Sequence, residues 1–152
     1  MIKINVEVNN RSWLKKINNP QKYFRDKIKK INKRIFFFKK KNISFTILLT
    51  NSHNMKILNK KFRKKNKPTD VLSFPFISKK DLNLSKKKNT YLGDIAISYE
   101  IINFRSKKNN FFIEFDKVWI HGLLHLIGFD HIKNKDFLKM SYLEKKILKV
   151  AI

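Results

Sequence analysis

Three of the four histidines in this 152-residue chain lie within the segment HGLLHLIGFDH, at positions 121–131. His121 and His125 are four residues apart, so on a helix they share one face, about 6 Å apart along its axis. Gly128 follows where the helix should end, because glycine accepts the left-handed conformation that reverses the chain. His131 can then return to the same point. Three converging imidazoles with a fourth position open to water are typical of a catalytic zinc site.

A plainer interpretation competes with the metal site, in which these histidines are core or surface residues with ordinary hydrogen bonds. Three histidines at this spacing, with a glycine at the turn, are a much less common accident than one histidine on an apolar face. The chain has no cysteine, so a transition-metal site must use histidine, aspartate or glutamate. Zinc is the default for three imidazoles, although nickel, iron and cobalt also accept nitrogen ligands. The sequence therefore predicts one bound ion, with zinc as the first choice.

The residue after the first histidine is Gly122. Zinc proteases with an HExxH motif place at this position the glutamate that activates water. Glu114 lies near the histidine face, but about 10 Å before His121 along the helix axis, so we expect it to be a surface charge. Peptide hydrolysis by the usual route is therefore disfavoured.

The formal net charge of +25 indicates a nucleic-acid partner. A compositional explanation competes with this one. Lysine, asparagine, isoleucine and phenylalanine have AT-rich codons, so a biased genome could supply much of the excess positive charge. Under such a bias, an arginine that persists is a candidate for a role that lysine would not fill. The arginines are Arg11, Arg25, Arg34, Arg63 and Arg105.

Hydrophobic periodicity predicts four strands and several helices around one core. We expect strands at 1–9, 43–50, 71–74 and 92–98, and helices at 20–38, 53–62, 99–127 with a break near 107–110, and 134–150. The polar, lysine-rich residues 78–90 are predicted to form an exposed loop. The last helix is predicted to bury Phe137, Leu138, Leu143, Ile147 and Leu148. The order βαβαββαα indicates a single α+β or mixed-sheet domain.

The first ten residues, MIKINVEVNN, alternate apolar and polar side chains as a half-buried strand does, and have no apolar run of signal-peptide length. No run of 18 apolar residues occurs, so we expect no membrane span. The absence of cysteine suits the cytosol, and we expect a cytoplasmic protein. Trp13 and Trp119 are expected in the core and His53 on the surface.

Three ordered motifs together resemble the YbeY family of metal-dependent endoribonucleases, which act in ribosomal RNA maturation. They are HGLLHLIGFDH at 121–131, LNKKFRKKNKPTDVLSFPF at 58–76 and LGDIAIS at 92–98. Met140 and Glu144 in the last helix also fit. The resemblance is good over residues 50–152 and covers the N-terminal third only in pattern. Phe129 stands where tyrosine is common in the family, which is a minor departure.

The resemblance implies that residues 1–152 form a single metal-dependent endoribonuclease domain, with helices packed on a mixed four-stranded sheet. It implies that His121, His125 and His131 bind one zinc ion and that Arg63 acts at the active site. An arginine there can grip a phosphate and stabilise the charge that develops on it during attack by a zinc-activated water. The implied partner is ribosomal RNA of the small-subunit assembly, cleaved in single-stranded regions during maturation of its 3′ end.

Roles of other polar residues near these motifs are less sharply indicated. Thr69 and Asp70 are expected to cap a turn and fix the loop that carries Arg63, rather than to act in catalysis. Asp94 and Asp130 are candidates for supporting the metal ligands, Asp130 by orienting an imidazole. Arg63 could also be a surface arginine paired with Asp70 or with a backbone carbonyl.

Two other functions remain open at this point. One is a metalloprotease-like zinc hydrolase, which needs a base from outside the histidine motif. The other is a non-catalytic RNA-binding factor of ribosome assembly with a structural zinc. An open position on the metal argues against the second, because structural zinc sites are normally closed by four protein ligands.

Overall fold

The computed structural model describes residues 1–35, 42–84 and 89–152. The strands are β1 (Ile2–Val8), β2 (Ile43–Thr50), β3 (Val71–Pro75) and β4 (Thr90–Ser98). A 3₁₀ helix at Arg11–Lys15 precedes α1 (Pro20–Arg34), α2 (Ser52–Arg63), α3 (Lys79–Leu84), α4 (Tyr99–Arg105), α5 (Phe111–Leu126) and α6 (Asn134–Ala151).

The four strands form one mixed sheet in the order β1-β2-β4-β3. Strands β1, β2 and β4 are parallel, and β3 pairs antiparallel with β4 at the edge of the sheet. This arrangement confirms the predicted α+β fold with a mixed four-stranded sheet. Because β3 is an edge strand, one of its sides is free to border a cleft.

The main core lies on one face of the sheet, where the alternate apolar residues of the central strands meet α1, α5 and α6. Phe45, Ile47 and Ile95 are fully buried there, as the strand period requires. Trp13 and Trp119 are also fully buried, which confirms their predicted place in the core. On the opposite face, α2 covers only part of the sheet, through a small apolar cluster around Met55, Leu72 and Ala96.

Two local differences from the predicted elements have physical reasons, and one predicted break is confirmed. Helix α1 ends at Arg34 because Ile35 is extended, while the predicted continuation to residue 38 falls outside the described residues. The segment predicted as an exposed loop at 78–90 contains the short helix α3, of which Leu82 is buried. The predicted break after β4 is confirmed: Asn110 caps α5 by accepting hydrogen bonds from the backbone of Phe112 and Ile113.

The predicted core face of the last helix was wrong in its first turns. Phe137 and Leu138 are largely exposed, whereas Met140 and Ile147 are almost fully buried. The buried stripe of α6 begins only at Met140, and the described part of the chain leaves Phe137 and Leu138 more than half exposed. Among the described residues, no helix is both long and apolar enough to cross a bilayer.

Candidate metal centre

Helix α5 presents His121 and His125 side by side at its C-terminal end. One nitrogen from each of His121, His125 and His131 lies within 4.8 Å of the others. The Nε2 atoms of His121 and His125 are 3.0 Å apart. Two nitrogens of a tetrahedral zinc site with bonds of about 2.05 Å are separated by about 3.3 Å. The three imidazoles are therefore close to the spacing that a single ion requires.

The turn after α5 brings His131 back to the end of the helix, as the position of Gly128 in the sequence predicts. Gly128 has a φ of +84° and donates to the carbonyl of His125, and Phe129 donates to the carbonyl of Leu124. These two bonds form a Schellman motif, which ends the helix and satisfies its last carbonyls. The His131 ring then stacks against His121, with centroids 5.7 Å apart.

The protonation of His125 suits a metal ligand. Burial lowers the pKa of His125, and the neighbouring imidazoles His121 and His131 lower it further, against smaller opposing effects of Asp130 and a backbone hydrogen bond to Phe129. A lowered pKa keeps the imidazole neutral to more acidic pH. Since only the neutral form has a lone pair for a metal, this environment favours coordination.

Glu144 on α6 is a supporting residue for which sequence reasoning had assigned no role. Its Oε1 lies 2.5 Å from Nδ1 of His121. A carboxylate at this place holds the proton on Nδ1, which leaves Nε2 unprotonated and directed at the other two imidazoles. Asp130, the residue expected to orient an imidazole, instead accepts a hydrogen bond from the backbone N–H of His131 at 2.7 Å.

Glu144→Ala is expected to weaken zinc binding about 10- to 100-fold, because His121 loses the group that sets its tautomer and orientation. Glu144→Gln should weaken zinc binding less, since its amide oxygen can still accept a hydrogen bond from Nδ1–H of His121. A competition titration with a chromophoric chelator measures both affinities. Asp136→Ala, which removes a carboxylate from the first turn of the same helix, is the control. Wild-type zinc affinity in Glu144→Ala would exclude this role.

Arg63 borders the same cleft as the three histidines. The cleft has a volume of about 600 Å³ and lies along β3, and its lining includes Arg63, His121, His125 and His131. Arg63 is the last residue of α2, and Lys64 then takes a left-handed conformation with a φ of +56°. Within the described residues, the exposed Arg63 guanidinium has no hydrogen-bond or ion-pair partner.

Asp70 is engaged elsewhere and does not pair with Arg63. Its Oδ2 accepts from Nη1 of Arg105 at 2.6 Å, and its Oδ1 accepts from the backbone N–H of Val71 at 2.8 Å. Thr69 also donates to Asp70, at 3.2 Å. These contacts agree with the expected role of Thr69 and Asp70 in fixing the turn before β3. Arg63 remains available for a ligand in the cleft.

Gly122 faces the sheet and not the cleft. Its carbonyl accepts a hydrogen bond from Oγ of Ser73 at 3.0 Å. A Cβ atom at position 122 would lie 2.9 Å from Cγ2 of Ile95 and 3.2 Å from Ser73 Oγ. The close packing of α5 on β3 and β4 therefore leaves no room for a side chain. Position 122 is in the protein interior, so it cannot carry the glutamate that a zinc protease has after its first histidine.

Gly122→Glu is expected to destabilise the protein by at least about 3 kcal/mol and to create no protease activity. The new carboxylate would be forced against Ile95 in the core. Gly122→Ala should cost less, since it adds only one atom and gains helix propensity. Urea unfolding gives the free energies, and casein hydrolysis gives the activity. A Gly122→Glu variant of wild-type stability would show that the helix can move away from the sheet.

Three other predicted positions have clear outcomes. Glu114 is buried, so its prediction as a surface charge was wrong: it pairs with Lys117 at 2.9 Å and accepts from Asn109. His53 is exposed at the start of α2, as expected. Asp94 accepts from the Tyr91 hydroxyl at 2.6 Å and is not among the residues that line the cleft.

A larger groove of about 810 Å³ lies between β1 and α1. Its lining includes no histidine or carboxylate. Two of its polar side chains, Gln21 and Asn32, hydrogen-bond to the backbone of β1 and so protect the free edge of that strand. The three histidines able to bind a metal line the smaller cleft.

Together, the fold and the site define a class: a small α+β protein whose edge strand borders three histidines able to hold a metal ion. Residues 7–151 match the sequence model of a family described as Endoribonuclease YbeY. The chain therefore belongs to the Endoribonuclease YbeY family.

Similar proteins agree with this assignment over nearly the whole chain. An Endoribonuclease YbeY of Pelagibacter ubique is 50% identical over 153 residues, covering 98% of this chain and 95% of that protein. Another, from Thermodesulfovibrio yellowstonii, is 34% identical and covers 97% of each. The solution structure of TM1509 from Thermotoga maritima has a TM-score of 0.60 at 26% identity, covering 99% of this chain and 89% of that one.

Proposed function

We propose that this chain is a metal-dependent endoribonuclease that processes ribosomal RNA. The observation that carries the proposal is the cleft lined by three convergent histidines and by Arg63, which has no polar partner within the described residues, in a chain of the Endoribonuclease YbeY family. The finer proposal is that residues 1–152 form one catalytic domain holding one zinc ion. This domain cleaves single-stranded RNA in maturation of the small-subunit rRNA 3′ end, in the cytoplasm.

The donor set fits zinc better than a hard cation, since three neutral imidazoles are nitrogen ligands and magnesium or calcium prefers oxygen. When bound, zinc supplies a Lewis acid and lowers the pKa of water at its open position. The chain provides the rest of the site. His121, His125 and His131 hold the ion, and Glu144 fixes the tautomer of His121.

Arg63 supplies the charge that a phosphodiester needs. Its guanidinium can hold two oxygens of the scissile phosphate in the cleft and offset the negative charge that grows there during attack. The exposed Lys64, Lys65 and Lys67 follow it in the chain and raise the local potential for the RNA backbone. The cleft is therefore suited to an anionic substrate and has no glutamate in the position of a protease base.

The test is cleavage by the purified full-length protein of a precursor small-subunit rRNA fragment, with and without a chelator and with zinc restored. An unstructured protein such as casein and a fully duplex form of the same RNA are the parallel substrates. We expect chelator-sensitive cleavage of the single-stranded RNA and none of casein. Casein cleavage would instead favour a zinc hydrolase of proteins. Tight RNA binding without any turnover would favour a non-catalytic assembly factor.

A further inference from the structure

A row of aromatic side chains lies on the α2 face of the sheet. Phe62 packs edge-to-face on Phe74 with ring centroids 4.9 Å apart, and Phe76 meets Tyr91 at 6.1 Å. Phe62 is 57% exposed, Phe76 is 80% exposed and Tyr91 is 39% exposed. We call Phe62, Phe74, Phe76 and Tyr91 the aromatic row.

The geometry of β3 explains why these rings share one surface. Side chains alternate along a strand, so Phe74 and Phe76 point to the same face. The backbone N–H of Phe76 donates to Leu92 at 2.8 Å, so the pairing with β4 continues past Pro75. Tyr91 is held in place by its hydroxyl, which contacts Thr46 and Asp94. Phe74, Phe76 and Tyr91 are therefore held on the sheet, and Phe62 and Phe76 are the more exposed rings of the row.

Each of the two most exposed rings is next in the chain to a residue that lines the metal cleft. Phe62 precedes Arg63, and Phe76 follows Pro75. The two most exposed rings of the row are therefore each one residue from the cleft lining.

A group of described lysines lies at the α2 end of the row and favours a polyanion there. Lys60, Lys61, Lys64 and Lys65 are exposed at the end of α2 and just after it, and Lys61 Nζ lies 5.3 Å from the Phe62 ring centroid. On the far side, Tyr91 is bonded to the acidic Asp94. A nucleic-acid backbone would therefore lie along the α2 side of the row. An apolar protein partner would not need this basic border.

We propose that the aromatic row is a base-stacking platform for the single-stranded RNA that enters the metal cleft, with Phe62 and Phe76 as the stacking residues. The proposal rests on the proposed function and adds how the substrate is held and selected. Single-stranded RNA can place its bases on aromatic rings, whereas the bases of a duplex are already stacked and paired. The row thus gives a physical reason for a preference for single strands.

The experiment measures binding by fluorescence anisotropy, with two labelled 12-nucleotide RNAs of equal charge, one with bases and one abasic along its length. Phe76→Ala is expected to bind the base-containing RNA about tenfold more weakly, and the abasic RNA as tightly as the wild type does. Phe76→Trp, which keeps an aromatic ring at this position, should bind the base-containing RNA as tightly as the wild type does. Phe104→Ala is the matched control, because Phe104, like Phe62, is an exposed phenylalanine with a lysine near its ring but does not belong to the aromatic row.

The outcomes separate this proposal from the proposed function. If Phe76→Ala and Phe62→Ala both bind the base-containing RNA like the wild type, the platform is wrong, whether or not the wild type cleaves RNA. Equal losses on the abasic RNA would also overturn it, because they would indicate a charge or folding effect. If the base-dependent loss is seen but the wild-type enzyme with zinc cleaves no RNA, the platform holds and the proposed endoribonuclease function fails.

Discussion

Replacing His125 with alanine is expected to remove bound zinc and RNA cleavage together. Its Nε2 is 3.0 Å from that of His121, and its ring centroid is 5.1 Å from that of His131, so it is close to both of the other imidazoles. Two remaining imidazoles cannot supply the three protein ligands that catalytic zinc uses. Zinc content should fall from about one ion per chain to background, and the cleavage rate by at least about 10³-fold.

The measurement pairs metal analysis of the dialysed protein with the initial rate on the precursor rRNA fragment. His53→Ala is the control, because it removes the exposed histidine outside the cleft and should leave both quantities unchanged. His121→Ala is expected to behave like His125→Ala. A His125→Ala protein that keeps its zinc and cleaves RNA normally would place the metal and the chemistry elsewhere in the molecule.

The ligand cluster could be predicted from the sequence because its geometry is local. His121 and His125 are one helical turn apart, and Gly128 marks the end of that helix, so spacing alone brings His131 back. The same holds for the break before α5, where Asn110 is a side chain that caps helices well. Short-range rules of backbone conformation were enough for these features.

Features that depend on packing between distant segments could not be predicted in this way. Glu144 is 23 residues from His121 and meets it only because α6 packs against α5. In the sequence, Gly122 stands where an HExxH protease has its glutamate. In the structure, Ile95 on a neighbouring strand leaves no room for a side chain at this position. The pairing of Asp70 with Arg105 likewise joins residues 35 positions apart. None of these contacts has a signature in spacing or composition.

The error at the start of α6 has the same origin. Phe137 is three residues before Met140, so helical spacing puts it near the core face. Leu138 is nine residues before Ile147, which places it on the opposite side of the helix. Periodicity identifies an apolar face but does not say how far the neighbouring elements extend along it.

Arg63→Ala is expected to separate catalysis from metal binding. The Arg63 side chain is exposed and, within the described residues, has no polar partner, so its removal should leave the folding free energy and the zinc content unchanged. It lines the cleft with the three histidines, where a guanidinium can stabilise a phosphate in the transition state. Loss of one such electrostatic group should lower the cleavage rate about 10²- to 10³-fold.

The conservative variant Arg63→Lys sharpens the test, because lysine keeps the charge but not the planar fork that binds two phosphate oxygens. We expect its rate to fall between those of the wild type and Arg63→Ala. Arg25→Ala, which removes an exposed arginine from α1, controls for net charge. Loss of zinc from Arg63→Ala would make Arg63 a structural residue. A wild-type rate would mean that the neighbouring lysines, and not Arg63, hold the scissile phosphate.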